Sequence, residues 1–315
     1  MINRKAFIVG IKSTSLSKKE IIFLKKYKPW GVILFSRNVK GFEQIKKLIK
    51  AIRFIFKDKN YPILIDQEGG RVNRLNKLIE TSILTAELFG DLYKKNKKKF
   101  FNYYKIYINQ ISYLLNEIGV NINTVPVLDV RRTKSSNVIG DRSYSSLSKN
   151  VSKIGDVCIE EFKKRGIGTV IKHIPGHGLA KEDSHKLTPV VKKKMKYLYK
   201  NDFAPFKNKK TFFAMTAHVI YKDIDPINTA THSPKIIKLI RKKIGFKNII
   251  ISDDISMKGL KYSIKQNLNR ALSAGCNLIL HCNANYSEMR TVAENSPNVD
   301  NFIIQKTSQF YKFLS

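Results

Sequence analysis

Residues 170–189 read VIKHIPGHGLAKEDSHKLTP. An apolar run carrying Lys172 and His173 breaks at Pro175, Gly176, His177 and Gly178. Such a run before a Pro/Gly cluster marks a buried strand leaving its sheet. Lys172 and His173 then lie near a strand end, and the loop beyond projects Asp183 and His185 over the same mouth. An Asp and a His two positions apart can hydrogen-bond, and the carboxylate then fixes the imidazole tautomer and favours its protonated form. Two readings fit: an acid/base unit, and a tight turn with structural histidines.

The rest of the chain repeats the pattern. Apolar runs at 7–11, 31–35, 62–65, 120–130, 168–171, 212–216, 249–251 and 278–280 read as strands. Amphipathic stretches at 17–27, 41–56, 103–118, 148–165, 234–243 and 265–274 read as the helices between them. Ser17 and Glu20 have the spacing of a capping box, and Ile45, Leu48, Ile49 and Ile52 form one helical face. Polar residues recur just past the strands: Asp66 to Arg74, Asp129, His218, Asp253 with Asp254, and His281 to Asn283. Alternating strands and helices with polar strand ends predict an α/β protein, a single (β/α)8 TIM-type barrel with its site at the C-terminal ends of the strands. A doubly wound open sheet fits less well, because no Gly-rich phosphate loop follows the first strand. No Ser/Gly/Pro-rich linker divides residues 1–315, which are read as one catalytic barrel domain.

Composition bounds the rest. The 59 Lys+Arg against 24 Asp+Glu give a formal charge of +35, which invites a search for anionic partners. The cations are mostly lysines spread along helical faces, without an Arg-and-aromatic stripe to grip bases, so no specific nucleic-acid partner is expected. No apolar run approaches the roughly 20 residues of a membrane span, and the 7–11 stretch is too short for a signal-peptide core, so no membrane partner is expected and the cytoplasm is the expected location. Cys158, Cys276 and Cys282 are odd in number and widely placed, without metal spacing, and are read as reduced.

The carboxylates leaving buried strands carry the chemistry. Asp253 follows three isoleucines and Ser252 at a strand end, with Asp254 beside it. A carboxylate nucleophile with a separate proton donor is the pattern of retaining glycoside hydrolysis. A metal-holding pair ranks second, since no phosphate-cradling motif accompanies it, and capping of the next helix suits Asp254 better than Asp253.

The motifs IDQEGGRV (65–72), VIGDRS (138–143), KHIPGHG (172–178) with DSH (183–185), TAHVIY (216–221) and ISDDISM (251–257) resemble, in order, those of the β-N-acetylhexosaminidases of glycoside hydrolase family 3, cytoplasmic enzymes of bacterial cell-wall recycling. The resemblance runs from about residue 31 to 283. It implies Asp253 as nucleophile, His185 as general acid/base and Asp183 as its orienting partner. It also implies Asp66, Arg74, Arg142, Lys172 and His173 as ligands of a terminal aminosugar, with no metal and no cofactor. The implied substrate is a small muropeptide fragment. A monomer is expected. His177 is read as part of the turn. A neutral imidazole in place of a second carboxylate would not repel phosphate, so phosphorolysis stays open beside hydrolysis. A β-glucosidase of the same family, and a basic barrel binding nucleic acid or wall polymer, are the other readings. Asn123-Thr124-Val125 and Asn248 depart from the family's pattern, and neither is expected to touch the chemistry.

Overall fold

The computed structural model describes residues 3–132, 137–184 and 187–314. Among these, eight parallel strands close a barrel: β1 (Lys5–Gly10), β2 (Pro29–Leu34), β3 (Ile63–Ile65), β4 (Ile122–Asn123), β5 (Gly168–Ile174), β6 (Phe213–Thr216), β7 (Ile249–Asp254) and β8 (Leu278–His281). Each strand pairs with its neighbours in chain order, and Phe7 opposite Ile279 and Val9 opposite His281 close the ring. Around it lie α1 (Lys18–Tyr27), α2 (Phe42–Phe56), α3 (Ala86–Lys95), α4 (Lys97–Ile118), α5 (Ser148–Lys164), α6 (Met195–Lys200), α7 (Pro234–Leu239), α8 (Ile264–Ala274), α9 (Tyr286–Asn295) and α10 (Asn301–Leu314). The expected α/β barrel is the fold observed.

Local chemistry sets the helix ends. Ser17 accepts from the Glu20 backbone N–H while Glu20 reaches back to the Ser17 N–H, the reciprocal cap that starts α1. Helix α2 buries Ile45, Leu48, Ile49 and Ile52, the stripe that its 3.6-residue period predicts. Asn96 caps α4, so the lysine run 94–99 marks the junction of two helices, and α4 starts earlier than the expected 103–118.

Two apolar layers result. One lies between strands and helices. The other fills the barrel, where Trp30, Phe213 and Phe310 pack edge to face and α10 seals the N-terminal ends of the strands. The buried Trp30 Nε1 donates to Thr307 Oγ1 at 2.9 Å, satisfying the indole on α10. Nearer the other end of the barrel, Met215 and Leu280 are the apolar residues beneath the cavity described below.

Two expectations need correction. The 120–130 stretch pairs as a strand only at Ile122–Asn123, with one further bridge from Val127 to Lys172. Pro126 has no N–H to donate, but its carbonyl accepts the Lys172 N–H at 3.2 Å and the Leu128 N–H donates to the Lys172 carbonyl at 2.8 Å, an isolated bridge to β5 that carries Asp129 behind His173. The predicted 234–243 helix stays α-helical to Leu239 and then widens into a π turn, Ile240–Ile244, that ends at Gly245. No helix among the described residues is long and apolar enough to cross a membrane.

Candidate active site

A cavity of about 220 Å³ opens at the C-terminal ends of the strands. Met215 and Leu280 supply apolar lining, and Asp66, Glu68, Arg71, Arg74, Arg142, Lys172, His173, Asp183, Asp253 and Cys282 supply most of the rest. The acidic and basic residues at 66–74 leave β3 through a small hairpin pairing Gln67–Gly69 with Val72–Asn73. That turn is held by a reciprocal exchange with the facing loop. Arg71 Nε donates to Asp141 at 2.8 Å, while Arg142 Nε and Nη2 grip Glu68 at 2.8 and 2.9 Å. The second pair is a bidentate, buried fork, the strong form of a charge-assisted bond.

Lys172 is the hub. Its ammonium lies 2.6 Å from Glu68 Oε1, 3.1 Å from Asp66 Oδ1 and 2.9 Å from Thr124 Oγ1, and only 3% of the residue is exposed. Thr124 in turn donates to Asp66 Oδ1. Arg74 stands 3.6 Å from Asp66 Oδ2, its guanidinium over the ring of Phe35. Burial pushes both carboxyls up, but Lys172 and Arg74 outweigh it for Asp66, and Arg142 and Lys172 for Glu68. Asp66 is held far below the usual carboxylate range and Glu68 at about 2. Both are anions at neutral pH, ready to accept hydroxyl hydrogens.

His173 is oriented from behind. Its Nδ1 lies 2.7 Å from Oδ2 of Asp129, whose carboxylate also accepts the His177 backbone N–H at 2.6 Å. Burial works against the Asp129 charge, yet His173 and His177 hold its carboxyl below the ordinary value. Burial and the nearby His173 bring His177 down to about 4, so its ring is neutral near pH 7. The His177 Nε2 pairs with Ser184 Oγ at 3.2 Å, which ties the Pro-Gly-His-Gly turn to the loop bearing Asp183. Gly178 is required here, because a Cβ would stand 1.9 Å from the Val130 carbonyl oxygen.

Both carboxylates at the end of β7 are placed by the strand, but they do different things. Asp253 lines the cavity. Asp254 accepts from the Ser256 N–H and hydroxyl and from the Cys282 N–H, so it organises the turn after the strand rather than capping a helix. His218, whose Nε2 meets the Asp254 carbonyl at 3.0 Å and whose Nδ1 meets Thr231, is buried and shifted toward the neutral form.

The structure thus brings Asp66, Arg74, Arg142, Lys172, His173, Asp183 and Asp253 onto one cavity, while His185 lies outside the described residues. Sequence reasoning missed three residues that hold them. Glu68 had a signal, a second carboxylate leaving a buried strand beside two arginines. Asp129 had the same signal one strand later. Thr124 was set aside as touching nothing in the chemistry, and it touches both Asp66 and Lys172. Asn248, by contrast, donates to the Thr211 carbonyl near the start of β7, far in the chain from these residues.

The chain matches the family described as Glycosyl hydrolase family 3 N terminal domain over residues 7–307. It is 34% identical over 287 residues to a β-hexosaminidase of Haemophilus ducreyi, covering 88% of this chain and 80% of that protein. A β-hexosaminidase of Haemophilus influenzae is 31% identical over 284 residues, with 88% and 79% covered. Among solved structures, NagZ from Neisseria gonorrhoeae in complex with N-trifluoroacetyl-D-glucosamine superposes with a TM-score of 0.87 at 27% identity, covering 100% of this chain and 91% of that one. The barrel, the cavity at its strand ends and these likenesses agree, and the chain belongs to glycosyl hydrolase family 3 as a glycoside hydrolase.

Proposed function

We propose that the protein is a retaining exo-β-N-acetylglucosaminidase that removes terminal N-acetylglucosamine from small peptidoglycan-derived muropeptides. The observation that carries this reading is the cavity itself, where Asp253 shares a wall with anionic Asp66 and with Arg74, Lys172 and His173. Asp253 attacks the anomeric carbon and forms a covalent glycosyl-enzyme. His185, two residues after Asp183 in the sequence, protonates the departing oxygen and then takes a proton from the incoming water. Asp66 and Arg74 bind ring hydroxyls, and Asp129 fixes the His173 ring at the same sugar. Charged groups matched to hydroxyls discriminate against analogues lacking them better than an apolar pocket does.

The names of the relatives support the aminosugar over plain glucose. The three cysteines are free, which suits a reducing compartment, and we place the enzyme in the cytoplasm acting as a monomer. Release of nitrophenol from the β-N-acetylglucosaminide and from the β-glucoside tests the reading. Turnover of the N-acetyl substrate alone is expected, with Asp253→Ala slower by roughly 10³-fold or more and His185→Ala by roughly 10² to 10⁴. Faster turnover of the glucoside would make the protein a β-glucosidase, and a dependence on added phosphate a phosphorylase. Turnover of neither substrate, with salt-dependent capture of nucleic acid or wall polymer, would leave a binding barrel.

A further inference from the structure

Thr124 sits fully buried just past β4 and does not line the cavity. Its hydroxyl oxygen accepts from Lys172 Nζ at 2.9 Å and its hydrogen goes to Asp66 Oδ1. Lys172 Nζ donates to Asp66 Oδ1 at 3.1 Å as well as to Thr124 Oγ1, and it forms an ion pair with Glu68 Oε1 at 2.6 Å. Asp66 Oδ1 therefore receives both Lys172 and Thr124. Oδ2 stands 3.6 Å from Arg74 Nη2 and takes no hydrogen bond among the described residues, which leaves it to a ligand.

We propose that Thr124 is a positioning residue for sugar recognition: by bridging Lys172 and Asp66 it locks the carboxylate in one rotation, with Oδ1 held inward and Oδ2 presented beside Arg74 to a ring hydroxyl. This rests on the reading of Asp66 and Arg74 as sugar ligands.

The backbone beside Thr124 is fixed without its hydroxyl. The Thr124 N–H donates to the Ile65 carbonyl at 2.9 Å, and the Asn123 side chain clamps both the N–H and the carbonyl of Gln67 at 3.0 Å. Removing the hydroxyl alone should therefore release Asp66 while leaving the strand in place. Thr124→Val keeps the shape and deletes the bridge, and Thr124→Ser keeps the bridge.

The test is steady-state kinetics on the nitrophenyl β-N-acetylglucosaminide, with the inhibition constant of free N-acetylglucosamine and the melting temperature measured on the same proteins. A bond to a charged group that is made equally in ground and transition states should appear in binding, so Thr124→Val is expected to raise KM and the inhibition constant together by about tenfold and leave kcat within about threefold. Thr124→Ser should restore both constants to within about twofold of wild type. An active wild type with unchanged constants in Thr124→Val would overturn the proposal. So would a loss confined to kcat with a lowered melting temperature, or a Ser variant as impaired as Val, since those describe a packing role. An inactive wild type would instead remove the functional reading on which this one stands.

Discussion

Oδ2 of Asp129 lies 2.7 Å from Nδ1 of His173, and the carboxylate that makes this contact is completely buried. The same group takes the backbone N–H of His177, so one carboxylate orients the His173 ring and anchors the turn that follows. Asp129→Asn replaces one acceptor oxygen by a donor and confronts a backbone N–H with an NH₂. It is expected to lower stability by about 1–3 kcal/mol in urea unfolding and kcat/KM by about tenfold or more.

The paired carboxylates set how stability depends on pH. Glu68 has its folded value depressed to about 2, and Asp66 and Asp129 are also depressed. A depressed carboxyl contributes stability that is fully present above its unfolded value, near 4.3 for Glu, and is lost as pH falls toward the folded value. Unfolding free energy should therefore be steady with respect to these groups from pH 7 to about 5 and fall steeply from about 4.5 toward 2. Glu68→Gln removes its share of that slope. At pH 7 it leaves Arg142 and Lys172 short of a buried partner, at a cost of about 3–5 kcal/mol.

Arg142 holds Glu68 through two parallel bonds and also donates to the Val138 carbonyl at 3.1 Å. Lysine cannot form that fork. Arg142→Lys should keep the charge yet raise KM by about tenfold, with circular dichroism unchanged, because the hairpin bearing Asp66 loses its clasp.

At the opposite end of the barrel the prediction is for stability alone. Phe310 packs on Phe213 with ring centroids 5.2 Å apart and stands against Gly168, where a Cβ would come within 2.6 Å of its ring. Phe310→Ala should cost about 3–5 kcal/mol in denaturant unfolding and leave KM and kcat of the folded enzyme within about twofold.

Much of this was legible in the sequence. Barrel strands buried on both faces read as unbroken apolar runs, so β5, β6, β7 and β8 stood out, and the charges following them could be placed at one mouth. The fourth strand was misjudged because its apolar run continues past the two residues that form the ladder, through a proline with no N–H to donate, to a lone bridge at Val127. The supporting contacts were hidden for a different reason. Thr124 meets Asp66 across 58 positions and His173 meets Asp129 across 44, and these pairings come from barrel closure, not from any local pattern. A threonine after an asparagine in a strand carries no sign of which carboxylate it will face.

The covalent role of Asp253 is tested most directly by mass spectrometry of the protein quenched during turnover of a slow 5-fluoro-N-acetylglucosaminyl substrate, followed by peptide mapping. The predicted result is one added sugar mass on the peptide containing Asp253, absent from Asp253→Asn. An adduct on another residue, or steady turnover by the enzyme with Asp253 replaced, would contradict it.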